Sequence, residues 1–235
     1  MRPDSRQIIH MGINYVILPM PMVDQEHNLK FQSSLIAKGV DFTNLALEES
    51  QIRIWRNPPL PLEIRVSAQT SQPQPFGQIL VIAPNPNRPL ENFISEVVAV
   101  LEAFNQTWLP QNRRILSCDV TLRCLYQSTS EHAFRELWEE RLCQPPDSLA
   151  KLERRVLGGG LRFVMPPQQG DTEPTQVEVR IESFLRDTKK IFIETQFTWP
   201  APKPPGTDFA PATRLNQANE YVENQVHAFM MEDNK

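Results

Sequence analysis

The sequence predicts an α+β protein built from two tandem βαβββα units, 1–110 and 111–235, packed as one pseudo-twofold domain. Three observations predict it. Apolar residues recur at every second position over 62–68, 115–126 and 177–181, the mark of strands with one buried face. Two segments, 89–108 and 212–231, carry apolar residues at helical spacing. The order strand, helix, three strands, long helix occurs twice, over 8–108 and 115–231. The halves share no strong residue identity, so the likeness is one of pattern. The expected architecture is mostly antiparallel sheet, continuous or face-packed between the halves. One face is expected to be covered by the two long amphipathic helices.

The first unit opens with a strand at 8–18, with Met11, Ile13, Tyr15 and Ile17 on one face. A helix is expected over 24–38, with Leu29, Leu35 and Ile36 inward and Gly39 as its stop. Strands follow at 51–55, 62–68 and 78–83, and prolines at their ends favour antiparallel hairpin connections. Pro89 suits the first turn of a helix over 89–108, whose stripe is Leu90, Ile94, Val97, Leu101, Phe104 and Trp108.

In the second unit, 115–127 alternates Leu116, Cys118, Val120, Leu122, Cys124 and Tyr126 against Ser117, Asp119, Thr121 and Arg123. Helices are expected over 130–142, capped by Ser130, and over 147–157, stopped by Gly158-Gly159-Gly160. Strands at 161–165, 176–184 and 190–199 follow, with a turn at Arg186-Asp187-Thr188. A proline-rich connector leads to a helix over 212–231 with Leu215, Ala218, Val222, Val226 and Phe229 inward.

Composition narrows the function classes. Hydrophobic content of 40% and charged content of 22% are ordinary for a globular chain. A net charge of −4 gives no global attraction to nucleic acid or anionic lipid. With 22 prolines against 8 glycines, the loops are stiff and poor material for hinged lids. The longest apolar run, Val97–Leu101, is far below the roughly 20 residues of a membrane span. A soluble, cytoplasmic protein is expected, and three cysteines without framework spacing fit a reducing compartment.

Candidate chemistry is thin. Cys118 and Cys124 sit six residues apart on one strand, roughly 20 Å, and read as core residues. Cys143 has no histidine near it in sequence. His132 and Glu136 fall at i,i+4, but no second histidine shares that helix, so a solvated charged face is expected. The triple glycine is followed by strand residues, without the lysine and hydroxyl of a phosphate loop. Pro200 to Pro205 holds a PxxP spacing and reads as a rigid spacer.

The candidate binding residues are the outward arginines Arg53, Arg65, Arg123, Arg162 and Arg180, with Trp55 and Trp199 near strand ends. Acidic residues alternate with these arginines, so nucleic acid is not an expected partner. No catalytic residue, metal ligand or cofactor is called for, and no membrane contact is expected. The expected function is adaptor-like or chaperone-like binding of another protein or of a second copy. A second reading is a carrier of a small apolar ligand lined by Met11, Met20, Met22, Met230 and Met231. A third is an enzyme whose carboxylates Glu63, Asp119, Glu178 and Glu182 converge to about 5–9 Å.

Overall fold

The computed structural model describes residues 1–70, 75–109, 111–171, 173–200 and 202–231. Its first half forms β1 (Arg2–Leu18), α1 (Gln25–Ala37), β2 (Asn44–Glu48), β3 (Gln51–Arg56), β4 (Leu62–Gln69), β5 (Phe76–Pro84) and α2 (Leu90–Thr107). The second half begins with β6 (Arg114–Gln127) and α3 (Ala133–Arg135), which continues as a π turn over Glu136–Arg141. A 3-10 helix (Pro146–Leu152), β7 (Gly160–Met165), β8 (Gln176–Ser183) and β9 (Lys190–Trp199) follow. The chain ends in one helical run: α4 (Pro211–Tyr221), a π turn over Val222–Val226, and α5 (His227–Met231).

Among the described residues nine strands form a single sheet in the order β2-β3-β4-β5-β1-β6-β9-β8-β7, every neighbouring pair antiparallel. The two predicted units therefore share one sheet. They meet at its centre, where β1 pairs with β6 (Ile13 opposite Val120, Tyr15 opposite Cys118).

The period-two pattern carries over into burial. Met11, Ile13, Tyr15 and Ile17 of β1, Ile64 and Val66 of β4, and Val179 and Ile181 of β8 are all buried, while their strand neighbours are mostly half-exposed. These residues and the buried faces of α1, α2 and α4 form one hydrophobic cluster. Ring contacts thread it: Tyr15 on Phe209 at 4.6 Å, Phe104 on Trp108 at 4.8 Å, and Phe31 on Trp108 at 5.3 Å.

Several elements differ from expectation, each for a local reason. β1 starts six residues early, because 2–7 extends along the end of β6. β2 was not expected; Leu45 and Leu47 are its apolar residues, set opposite Ile54 and Ile52 of β3. In β6 a bulge skips Leu116, so Ile115 is buried in its place. In α1, Asp24 caps the His27 N–H, and Asn28, Phe31 and Leu35 face inward while Leu29 and Ile36 are exposed. The expected helix at 130–142 starts later, at Ala133, with the His132 imidazole accepting from the Phe134 N–H. The helix expected at 147–157 is one short 3-10 segment. In the last helix the π turn adds residues to one turn, and the buried stripe passes from Val226 to Met230, leaving Phe229 outside.

Glu136 is fully buried rather than solvated. Its carboxylate accepts from the Met1 ammonium, from Ser128 Oγ at 2.6 Å and from the Thr129 N–H at 2.7 Å. Burial works to raise this carboxyl, but the ammonium and the two further donors outweigh it and hold it below the usual carboxylate range. A depressed folded-state value means that the stabilisation is fully present above the unfolded value. It is lost as pH falls through the folded one. Glu136→Gln is therefore expected to cost about 3 kcal/mol near neutrality, as for a broken buried pair. The difference from wild type should shrink on acidification, read by denaturant unfolding between neutral and acid pH.

Candidate functional site

The alternation of the strands places all five predicted arginines on the outward face of the sheet, opposite the hydrophobic cluster. The cross-strand registers divide them into two groups. Arg53 on β3 lies directly opposite Arg65 on β4. Arg123 on β6 faces Glu194 on β9, which faces Arg180 on β8, which faces Arg162 on β7. Three strand spacings, from β4 through β5 and β1 to β6, separate the groups by roughly 14 Å.

Within each group the positive charge is answered by carboxylates. Glu63 accepts from Arg53 Nε at 2.7 Å and also from Arg65 Nε. Burial works to raise the Glu63 carboxyl, and the two guanidinium groups bring it below the usual range. Arg162 grips Glu178 with two bonds, 2.7 and 2.9 Å. Arg180 reaches Glu182 at 2.9 Å and Glu194 at 3.2 Å, and Glu194 also accepts from Arg123. Pairs this exposed contribute at most about 1 kcal/mol each. Their effect is to neutralise the face.

The two tryptophans separate. Trp55 stays on the outward face beneath Arg53, whose guanidinium lies 4.9 Å from the ring centroid. Trp199 lies on the core face, 1% exposed, with Arg214 at 4.5 Å over its ring. The four carboxylates of the third reading are engaged elsewhere. Glu63, Glu178 and Glu182 hold arginines, and Asp119 accepts from Asn14 and from Thr198. Glu63 and Asp119 stand three strands apart. Glu178 and Glu182 are four residues apart on one strand, roughly 13 Å.

Two clusters escaped sequence reasoning because their members are distant in the chain. On the outward face His10 lies beside Arg123 and Glu194. Burial first, then Arg123, pushes its imidazole down to about 4, against a smaller opposing effect of Glu194, so it is neutral at neutral pH. On the core face Arg6 Nε contacts Cys124 Sγ at 3.4 Å, its other nitrogens bond Glu223 and Asn219, and His227 Nε2 meets the Tyr126 hydroxyl at 2.9 Å. This set anchors the C-terminal helix to the sheet at its π turn. Burial raises the Cys124 thiol and the Tyr126 phenol despite Arg6, which keeps both protonated and unreactive.

An apolar groove of about 440 Å³ lies where β7 meets the C-terminal helix. Phe163, Met165, Tyr221 and Phe229 line it, with Phe163 and Phe229 edge to face at 5.4 Å. The π turn makes this possible by swinging Phe229 out of the buried stripe. β7 is an outermost strand, paired among the described residues with β8 alone. The Ser183 N–H bonds the Gly159 carbonyl, so by antiparallel alternation the backbone groups of Gly160, Arg162 and Val164 point away from β8. Gly160 is required here: a Cβ would lie 2.0 Å from the Ile181 carbonyl oxygen.

Of the methionines in the carrier reading, Met20 and Met22 line cavities, whereas Met11 and Met230 are fully buried in the core and Met231 is half-exposed. Ala201 of the PxxP segment lies outside the described residues. Among the described residues no helix is long and apolar enough to cross a membrane.

No protein-family model matches this chain, and none of the curated proteins does.

The neutralised outward face gives a direct expectation. The wild type should pass a heparin column at near-physiological salt. Combining Glu63→Gln with Glu194→Gln strips the carboxylate from Arg53, Arg65 and Arg123. The double variant should then be retained until higher salt, at a stability loss below about 1 kcal/mol per pair.

Proposed function

We propose that this chain is a binding protein, made by duplication of a βαβββα unit, that docks a second copy of itself along the open edge of β7. The observation that carries the reading is the unequal finish of two otherwise matching halves. Running outward from the centre, one half reads β1-β5-β4-β3 and the other β6-β9-β8-β7. On this correspondence β3 and β7 are equivalents, and the long helices cover the same face of both halves. β3 is covered by β2, contributed from the segment between α1 and β3. The corresponding segment before β7 supplies the 3-10 helix and no strand among its described residues. A place filled within the chain on one side is left vacant on the other.

The occupant is argued from the pattern of β7 itself. Leu161, Phe163 and Met165 share the groove face; Arg162 and Val164 share the outward face. Two copies paired antiparallel about Phe163 set Leu161 against the partner's Met165 and Phe163 against the partner's Phe163. On the other face Arg162 falls opposite the partner's Val164. The alternative centre, Arg162, would put two guanidinium groups directly opposite each other and is disfavoured. Apolar side chains then meet over the groove, and the outward backbone groups of Arg162 and Val164 gain partners. Val164 is 54% exposed and Phe229 45%, surface that such a pairing removes from water.

Sedimentation tests the reading. The wild type should run as a dimer of the 27.1 kDa chain. Val164→Pro removes an outward N–H while sparing the bonds to β8, and should run as a monomer with unchanged circular dichroism. A wild type that stays monomeric up to its solubility limit, or a proline variant that still dimerises, overturns the proposal.

A further inference from the structure

Arg113 is buried, 5% exposed, yet no carboxylate stands within ion-pair distance of it among the described residues. Its Nη1 bonds the neutral Asn105 side chain, and its Nε has no partner. The guanidinium lies over Phe209 at 4.1 Å and near Phe104 at 5.9 Å. Asp208 acts on it only from beyond ion-pair range. Arg88, a half-buried residue whose side chain is 4% exposed, has Glu96 against it. A buried cation without a counter-charge is costly, several kcal/mol by general experience, and such a group calls for an explanation.

The explanation lies beside it. Arg113 forms part of the wall of a cavity of about 310 Å³ between the C-terminal end of β1, the start of α1 and the end of α2. That volume is at the lower end of small-molecule sites, roughly 300–1,000 Å³. Met20, Met22, Trp108 and Leu109 make the other walls mostly apolar and soft, with Thr107 and His27 as their polar members. Met22 is 63% exposed and Leu109 67%, so the rim offers apolar surface to water. His27 stacks on Trp108 at 5.9 Å and is held by Asp24, whose carboxylate is thereby committed at the mouth. The cavity shares no lining residue with the β7 groove.

We infer that this cavity binds a small amphipathic monocarboxylate, its carboxylate on Arg113 and its apolar body against Met20, Met22, Trp108 and Leu109. One cation calls for one negative charge. A dianionic phosphate head would leave one charge unanswered among mostly apolar walls. Unbranched methionine side chains adapt to a flexible aliphatic body, and the indole adds a flat apolar wall. Removing the carboxylate from a ligand would leave the guanidinium desolvated and unpaired, so a neutral analogue should bind much less well.

Isothermal titration of the full chain with decanoate tests this, with decan-1-ol and acetate as controls. Decanoate should bind saturably at one site per chain, with both controls weaker by at least about tenfold, the worth of a charge-assisted bond. Arg113→Gln should erase the preference for decanoate over decanol. Leu109→Asp changes an exposed rim residue. It should weaken decanoate by about tenfold or more and decanol less, so the test survives if the first variant does not fold. The inference is overturned by any of four results. They are no saturable decanoate binding, decanol binding as tightly, acetate binding as tightly, or decanoate binding unchanged in the folded variants.

Discussion

The register of β1 against β6 is the constraint on which the rest of this structure hangs. Among the described residues these are the two longest strands, and their pairing is the only direct strand contact between the halves. Period two makes register unforgiving, because a slip of one residue would turn Met11, Ile13 and Tyr15 outward and His10, Gly12 and Asn14 into the core. Two features pin it. The bulge at Leu116 re-phases the start of β6, so that Ile115 meets Ile17 in the core. Gly12 admits the close approach of Ile82 and His10, which a Cβ would meet at 2.8 and 3.1 Å. With this pair in place, each half grows outward by antiparallel addition.

The polar chemistry of the sheet follows from that register. Arg123, Glu194, Arg180 and Arg162 come into one row only because β6, β9, β8 and β7 align as they do. The same alternation that buries Val120 and Val179 sends Asp119 and Arg180 outward. An outward face of paired opposite charges stays hydrated, and like-charge neighbours such as Arg53 and Arg65 are tolerated because Glu63 lies between them.

Much of this was legible in the sequence, and the gaps have physical causes. Period two is a strong local signal, so the strands at 62–68, 115–127 and 176–199 and the outward direction of the five arginines could be read directly. β2 is short, and its apolar residues Leu45 and Leu47 gain meaning only beside β3. The phase of α1 was misread because Leu29 and Ile36 are as apolar as Phe31 and Leu35, and packing against Phe104 and Trp108 decides between the two faces. Trp199 is buried for a comparable reason: its place at a strand end is local, but the cover given by Arg214 comes from α4. The π turn at Val222–Val226 has no sequence signature, yet it determines that Phe229 faces β7. Arg113 looks like an ordinary linker residue until the start of β6 is packed beneath α2.

The two ends of the central strand pair differ in how a buried cation is met. His27 lies nine residues past the end of β1, and Glu136 nine residues past the end of β6. On the proposed duplication they are equivalent positions. Glu136 pairs with Met1, the residue just before β1, and His27 lines one cavity with Arg113, the residue just before β6. At the second position the fold supplies a buried carboxylate with two further donors, and the ammonium is satisfied within the chain. At the first it supplies an imidazole stacked on Trp108, and a cavity occupies the space where a counter-charge would be. The two ends thus treat a buried cation in opposite ways. If Arg113 served packing alone, a methionine or leucine would fill the gap between Phe104 and Phe209 at lower desolvation cost. What a guanidinium adds at that place is the capacity to bind a negative charge brought from outside the chain.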